Sequence, residues 1–163
     1  PSKQWKKEKK GESWYPGDTV NLGIGQGYML TTPLQLAAFT ALLANRGRPV
    51  TPHFLTAVQD PQNGDYKQIE YPELPKPEGY TDASYAEVIQ GMRNVVHGPR
   101  GTARKIGKGL PYEIAGKSGT SQVRAIPQGQ RYDKKNTPKK YRDNALFIAF
   151  APVENPKIAV AVI

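Results

Sequence analysis

The chain has 163 residues, enough for one domain with a substantial core, since a chain of this size buries roughly two-thirds of its unfolded surface. It contains no cysteine, which excludes disulfide frameworks and thiolate metal sites. No stretch approaches the roughly 18 apolar residues that a membrane-spanning helix requires. We therefore expect any membrane anchor to lie outside these residues.

The positive charge of the chain leaves two kinds of partner open. The net charge is +9, and it is concentrated in residues 3–10 and 124–142. This balance favours negatively charged partners, so a basic binding module for nucleic acid or another anionic surface is the alternative function. Charge runs near Pro and Gly are usually solvated loops, however, and no nucleic-acid-binding motif accompanies them. We therefore expect no nucleic-acid partner.

The first half of the chain predicts one long helix and two short extended segments. Residues 1–20 are polar and contain a Pro-Gly-Asp turn signal, so they predict an irregular lead-in. A helix is predicted over 33–45, because Thr32 can cap it, a proline occupies its first position and Gly47 ends it. The segments "HFLTAVQD" and "KQIEY", which have a hairpin-type turn between them, predict edge strands or loops.

The second half predicts a helix followed by strands. Apolar residues recur at helical spacing over 82–97 and stop at a Gly-Pro pair, which predicts a second helix. The segment "YEIAGKSGTSQV" predicts a strand, and residues 124–143 predict a long basic loop. The segments "NALFIAFAPV" and "IAVAVI" predict a hairpin that is apolar enough to be buried on both faces.

The predicted strand contains the motif "KSGT". Ser118 and Thr120 share one face of a strand, and Gly119 between them leaves room for a close approach. Two hydroxyls and the ammonium of Lys117 suit a carboxylate, and a free amide N–H can point at a developing oxyanion. Strict alternation places Lys117 on the opposite face, so one shared site requires strong local twist. The motif indicates an anion site, and the alternative is an exposed strand with a Gly bulge.

The neighbourhood of this motif resembles a known family. The motif is the Ser-bearing form of the Lys-Thr-Gly element of penicillin-binding proteins and class A β-lactamases. In chain order, "WYPGDTVNLGIGQGYMLTTPLQLA", "GTARKIG", "IAGKSGTSQV" and "NALFIAFAPVENPKIAVAVI" resemble the C-terminal part of a class B penicillin-binding protein of the elongation type. The resemblance covers nearly the whole chain.

The resemblance implies a fold and an activity. It implies an α+β fold of the penicillin-binding transpeptidase and serine β-lactamase type, an antiparallel sheet flanked by helices, of which residues 1–163 are an incomplete C-terminal portion. It implies peptidoglycan D,D-transpeptidation, in which a serine attacks a stem peptide ending in D-Ala-D-Ala and passes the acyl group to an amine. The same serine is acylated by β-lactams. No cofactor and no metal are implied.

The resemblance also implies partners and a location. The partners are peptidoglycan stem peptides, β-lactams, a membrane glycan polymerase of the elongation machinery and the remainder of the same transpeptidase domain. The location is the periplasmic face of the bacterial inner membrane, with a role in cell elongation and rod shape.

The resemblance assigns roles to five residues of the motif strand. Lys117 joins the proton-transfer and electrostatic network around the nucleophile. Ser118 and Thr120 bind the carboxylate of the substrate or β-lactam, with Gly119 and Ser121 beside them. The amide N–H of Thr120 is one donor of the oxyanion hole.

Two further residues are candidates for the cleft, whereas the nucleophilic serine, its general-base lysine and the Ser-x-Asn type box have no match in these residues. Gln26 and Tyr28 follow from the resemblance, because the "GIGQG" segment leads into a helix near the active site. This segment lacks the Lys-Ser/Thr ending of a P-loop, so it predicts a structural turn and no nucleotide site. None of the five serines has a lysine three residues later. We therefore expect the nucleophile outside these residues and no activity from this chain alone.

Overall fold

The computed structural model describes residues 1–123, 129 and 131–163, and in this part the chain is a mixed α+β structure. The helices are α1 Lys3–Lys10, α2 Pro16–Gly23, α3 Pro33–Ala44 and α4 Asp82–His97, with a 3₁₀ turn at Lys139–Tyr141. The strands are β1 Ala57–Gln59, β2 Tyr66–Gln68, β3 Ala115–Ser121, β4 Asn144–Ala151 and β5 Ile158–Val162. The chain divides into a first unit, residues 1–32 and 120–145, and a second unit, residues 33–119 and 146–163.

Strands β3, β4 and β5 form a sheet in that order. The β4–β5 pair is antiparallel, with Phe150 opposite Ala159. Beside β4, Gly116 of β3 lies against Phe147 and Gly119 lies against Leu146. From Gly116 to Gly119 the β3 residue number rises, whereas the number of the neighbouring β4 residue falls from 147 to 146. Strand β3 therefore also runs antiparallel to β4. Strands β1 and β2 form a separate antiparallel hairpin.

The apolar core lies in the second unit, where α3 packs on β5 and also contacts α4. Helix α4 buries Tyr85, Ile89, Met92 and Val96, whose spacing of three and four residues places them on one helical face. This face packs with residues from α3 and from the sheet, namely Leu43, Ala44, Ala115 and Phe150. The core therefore joins the two long helices to the strand that carries the motif.

The longer elements confirm the predictions from sequence. The predicted helix over 33–45 is α3, which ends one residue earlier, and the helix over 82–97 is α4. Thr81 caps α4, since its hydroxyl accepts the Ser84 N–H at 3.1 Å. The predicted β4–β5 hairpin and the motif strand are also present, and the two short extended segments pair as the β1–β2 hairpin. These elements have strong local signals, which are apolar period, caps and turn residues.

Two predictions were wrong. The β4–β5 hairpin is not buried on both faces, because β5 alternates and Ile158 remains 60% exposed. Residues 1–20 are not an irregular lead-in, since α1 and the start of α2 lie there. Helices of eight residues are marginal on their own, and α1 and α2 are stabilised by an ion pair that no local pattern reveals. That pair is described with the site below.

Among the described residues, none of the helices combines the length and the apolar character that crossing a bilayer demands.

Removing a core side chain should destabilise the second unit strongly. Phe150 is 1% exposed, whereas Phe54 is 104% exposed and serves as the matched control. Phe150→Ala should lower the free energy of unfolding by about 3–5 kcal/mol through lost burial and a residual cavity. Phe54→Ala should change it by less than about 0.5 kcal/mol. Urea titration measures both values, and equal losses would contradict the assigned core.

Candidate active site

Strand β3 passes from the core to the surface along its length. Ala115 and Gly116 are buried, Ser118 is half-buried, and Lys117, Gly119, Thr120 and Ser121 are exposed. The buried start anchors the strand, and the exposed end presents its polar groups. Positions 117–119 belong to the second unit and positions 120–121 to the first.

The two glycines of β3 differ in what they accommodate. A Cβ at Gly116 would lie 2.7 Å from Phe147 Cζ, so the packing of β3 on β4 requires glycine there. A Cβ at Gly119 would meet Leu146 Cβ at 3.5 Å, which is an ordinary van der Waals contact. The packing of β3 on β4 therefore has room for a Cβ at position 119, and contact with β4 does not explain this glycine.

Within the second unit, Lys117 and Ser118 each make a polar contact that the sequence did not predict. The Lys117 ammonium donates to the Ser118 carbonyl oxygen at 2.6 Å. The long lysine stem therefore curls back along the strand toward the backbone of the next residue. The Ser118 hydroxyl oxygen lies 3.2 Å from the Thr102 hydroxyl oxygen. Thr102 belongs to the "GTARKIG" segment, and its hydroxyl was not predicted as part of the site.

The residues that lead into β3 are tied to the last turns of α4. The Arg93 guanidinium donates to both carboxylate oxygens of Glu113, with Nε at 2.6 Å from Oε2. This bond lowers the pKa of Glu113 and raises the pKa of Arg93. His97 Nε2 accepts the Ile114 N–H at 2.9 Å, which requires the tautomer with the proton on Nδ1. Helix α4 therefore sets the position at which β3 begins.

Within the first unit, Gln26 reaches the end of β3, whereas Tyr28 packs against α1. The Gln26 side-chain amide donates to the Thr120 carbonyl oxygen at 2.8 Å. Its own N–H bonds to the Asn21 carbonyl oxygen at 2.8 Å, which closes the turn after α2. The Tyr28 ring instead packs edge-on against Trp5 of α1, at a centroid distance of 5.4 Å.

A buried ion pair joins α1 to α2. Lys6 is 2% exposed, and its ammonium lies 2.7 Å from Asp18 Oδ2 and 3.5 Å from Glu12 Oε2. The rings of Tyr15 and Tyr28 lie 4.7 Å and 5.4 Å from it. Asp18 also accepts the Tyr15 N–H at 2.8 Å. The bond between Lys6 and Asp18 raises the pKa of Lys6 and is the largest cause of the lowered pKa of Asp18.

Part of the predicted basic loop over 124–143 has internal order. Asp133 accepts the N–H of Lys135 at 2.9 Å and of Asn136 at 3.3 Å. Its pKa is lowered, chiefly by the bonds from Asn136. Thr137 is buried and donates to the Asp133 carbonyl oxygen at 2.6 Å. Positions 124–128 and 130 of the loop lie outside the described residues.

Comparison with known proteins decides what this strand belongs to. Residues 3–163 match the penicillin binding protein transpeptidase domain family. The chain belongs to this family. The α+β fold and the family resemblance predicted from sequence are therefore confirmed.

Individual members of the penicillin-binding transpeptidase family are similar over the whole chain. Peptidoglycan D,D-transpeptidase MrdA of Haemophilus influenzae is 38% identical over 164 residues, which cover 100% of this chain and 25% of that protein. PBP2 of Pseudomonas aeruginosa, whose crystal structure is solved in complex with WCK 5153, is 43% identical in sequence to this chain. The two structures match with a TM-score of 0.77 over 99% of this chain and 32% of that one. PBP2 of Helicobacter pylori in a complex with MreC is 31% identical, with a TM-score of 0.73 over 99% of this chain and 26% of that one.

The chain therefore spans about a quarter of the length of the curated relatives that it matches. Proteins named as peptidoglycan D,D-transpeptidases are its relatives, which supports the enzyme class predicted for the full-length protein.

The Lys6–Asp18 pair should give the first unit a defined pH range of stability. Because the pKa of Asp18 is lowered in the folded chain, the stability that its charge contributes is fully present above its ordinary pKa of 3.8. This stability is lost as the pH falls through the pKa of the folded state. The raised pKa of Lys6 means that its contribution is complete below 10.5 and is lost at higher pH. Stabilisation by the pair should therefore be largest between these two values.

The matched variants are Asp18→Asn and Asp60→Asn. Asn keeps an oxygen that can accept a backbone N–H, so Asp18→Asn removes the charge and spares the bond to Tyr15. Asp60 accepts the Gln62 N–H at 2.8 Å on an exposed turn and controls for loss of a carboxylate. Thermal unfolding should show a lower midpoint for Asp18→Asn at neutral pH and a shrinking difference below pH 3.8. A difference that does not depend on pH would contradict the ion pair.

Proposed function

We propose that this chain is the C-terminal portion of the transpeptidase domain of a peptidoglycan D,D-transpeptidase. The observation that carries the proposal is the strand that presents Lys117, Ser118, Gly119 and Thr120 within a chain of this family. In this function a serine outside these residues attacks the carbonyl of the penultimate D-Ala of a stem peptide. The terminal D-Ala leaves with the proton on its amine, and the acyl group then passes from the serine to an amine of another stem peptide.

The exposed end of β3 supplies recognition of the substrate. The hydroxyls of Ser118 and Thr120 donate to the terminal carboxylate of the stem peptide or β-lactam, and the Lys117 ammonium adds positive charge. The Thr120 N–H donates to the oxyanion that develops on the attacked carbonyl, a contact whose loss costs about 10²–10³ in turnover in comparable sites. The packing of β3 on β4 has room for a Cβ at Gly119, so its absence favours a close approach of the ligand backbone.

The remaining residues of the site have supporting roles. Gln26 holds the Thr120 carbonyl oxygen at 2.8 Å, which keeps the peptide after the oxyanion donor in place. Ser121 follows on the same strand at the cleft edge. Tyr28, whose ring packs against Trp5 of α1, stays a proposed residue of the cleft. Ser118 and Gln26 thus belong to different units, and each is supported by contacts within its own.

The full-length protein is proposed to act at the periplasmic face of the bacterial inner membrane, in cell elongation and rod-shape maintenance. The proposal of the elongation-type branch rests on the sequence resemblance given above, and relatives of the chain are named peptidoglycan D,D-transpeptidase MrdA and PBP2. A membrane glycan polymerase is the proposed partner, because transpeptidation requires glycan strands that carry stem peptides. This chain alone is proposed to be inactive, since the nucleophile lies outside it.

Exposure to a penicillin followed by intact-mass spectrometry tests the proposal. The samples are this chain alone and the complete transpeptidase domain that contains it. An adduct should form only in the complete domain and should map outside residues 1–163. An adduct at Ser118 would contradict the assigned role of the strand. The alternative, a basic binding module, would give no adduct in the folded complete domain and polyanion binding that weakens steeply with salt.

The second-order rate of acylation tests the roles on β3. Lys117→Met keeps the stem and removes the charge, and it should slow acylation by about 10- to 100-fold, as expected for a charge-assisted hydrogen bond. Adding Thr120→Val to Lys117→Met should slow acylation further. Lys67→Met, on the exposed strand β2, is the matched control and should leave the rate unchanged. A normal rate in the Lys117→Met, Thr120→Val double variant would refute the assignment.

A further inference from the structure

Thr102 brings a third hydroxyl to the motif strand. Its hydroxyl oxygen lies 3.2 Å from that of Ser118, within hydrogen-bond distance, and either oxygen can be the donor. The two residues are 16 positions apart in the chain. Both belong to the second unit, so this contact lies inside one compact body.

The turn that carries Thr102 is held tightly against the end of α4. The Ala103 N–H donates to the Val95 carbonyl oxygen at 2.9 Å, and the Gly101 N–H donates to the Gly98 carbonyl oxygen at 2.9 Å. A Cβ at Gly101 would lie 2.3 Å from the Val95 carbonyl oxygen, so only glycine permits this approach. The position of Thr102 is therefore set by the backbone of α4.

The same helix end sets the position of Ser118. Arg93 and His97 of α4 bind Glu113 and Ile114, the two residues just before β3. The turn and the strand are thus both attached to the last turns of α4. The short distance between the Thr102 and Ser118 hydroxyls follows from two sets of contacts to one rigid element.

Once a carboxylate is bound, the hydrogen bond between the Thr102 and Ser118 hydroxyls has a defined donor and acceptor. A serine hydroxyl has one proton to donate and lone pairs that can accept. A carboxylate only accepts, so Ser118 must turn its proton toward it, and the Ser118 oxygen is then free to accept a proton donor. Thr102 stands at the distance where its O–H can fill that role. Hydrogen bonds in such a chain strengthen one another.

We infer that Thr102 is a positioning residue for carboxylate recognition: its hydroxyl donates to Ser118 and thereby directs the Ser118 proton to the ligand carboxylate. The inference rests on the proposed function, because it needs Ser118 to bind that carboxylate. Thr102 does not touch the ligand in this arrangement. Its effect is specificity for a free carboxylate over a neutral ester or amide at the same place.

The test compares two ligands in the complete transpeptidase domain. Second-order acylation rates are measured with benzylpenicillin, which has a free carboxylate, and with its methyl ester, which does not. Thr102→Val removes the hydroxyl with little change in shape and should slow acylation by the acid about 3- to 10-fold, as expected for one neutral hydrogen bond. The rate with the ester should change by less than about twofold, because an uncharged ester carbonyl is a weaker hydrogen-bond acceptor than a carboxylate and gains less from a well-directed Ser118 proton.

Three further variants make the result specific. Thr102→Ser keeps the hydroxyl and should restore the rate with the acid. Thr102→Ala is a second variant without the hydroxyl and replaces Thr102→Val if the latter fails to fold. Thr51→Val removes a threonine hydroxyl that bonds the Pro72 carbonyl oxygen at 3.3 Å, and it should leave both rates unchanged.

Ser118→Ala separates failure of this inference from failure of the proposed function. If Ser118→Ala leaves the preference for the acid unchanged, the proposed role of Ser118 in binding the carboxylate is wrong. If it reduces the preference while Thr102→Val does not, the proposed function stands and the inference is overturned. The inference is also overturned if Thr102→Val slows acylation by the acid and by the ester equally and Thr102→Ser does not restore the rates. The inference predicts that Thr102→Val has no further effect on the preference in the Ser118→Ala background.

Discussion

The second unit depends on the contacts between the last turns of α4 and the residues that lead into β3. Arg93 holds Glu113 through two bonds, and His97 holds the Ile114 N–H. The Arg93–Glu113 pair is partly exposed, so orientation is a larger part of its contribution than stability. The apolar face of α4 is buried in the core, so these contacts fix the position of the start of β3. The far end of this strand is exposed.

The first unit depends on a different constraint, the nearly complete burial of the Lys6 ammonium. Asp18 and Glu12 balance its charge, and two tyrosine rings lie beside it. A buried charge that loses its partner is strongly unfavourable, so α1 and α2 form together. The turn after α2 then carries Gln26 to the Thr120 carbonyl oxygen. Two short helices without strong intrinsic stability thus support a residue at the end of the motif strand.

Much of the fold could be predicted because its signals are local. Helices α3 and α4 are encoded by caps, apolar period and Gly or Pro stops, and the hairpins by turn residues between apolar runs. Local sequence patterns gave wrong predictions where an element depends on contacts with residues distant in the chain. Helix α1 has five lysines in eight residues and looks like a solvated charge run, although Lys6 is its buried anchor. Strand β5 looks suited to a two-sided core, although Ile158 is exposed.

The sequence by itself determined the motif on β3, its membership of the penicillin-binding transpeptidase family and the absence of a serine with a lysine three residues later. The motif alone leaves an exposed strand with a Gly bulge open, but the motif together with the ordered segments around it, over nearly the whole chain, is sufficient for that. Only the tertiary structure decided that Thr102 meets Ser118 and that Gln26 meets Thr120, while Tyr28 turns toward α1. These pairs are separated by 16 and 94 positions. No periodicity or cap reaches that far, so packing of distant elements alone brings them together.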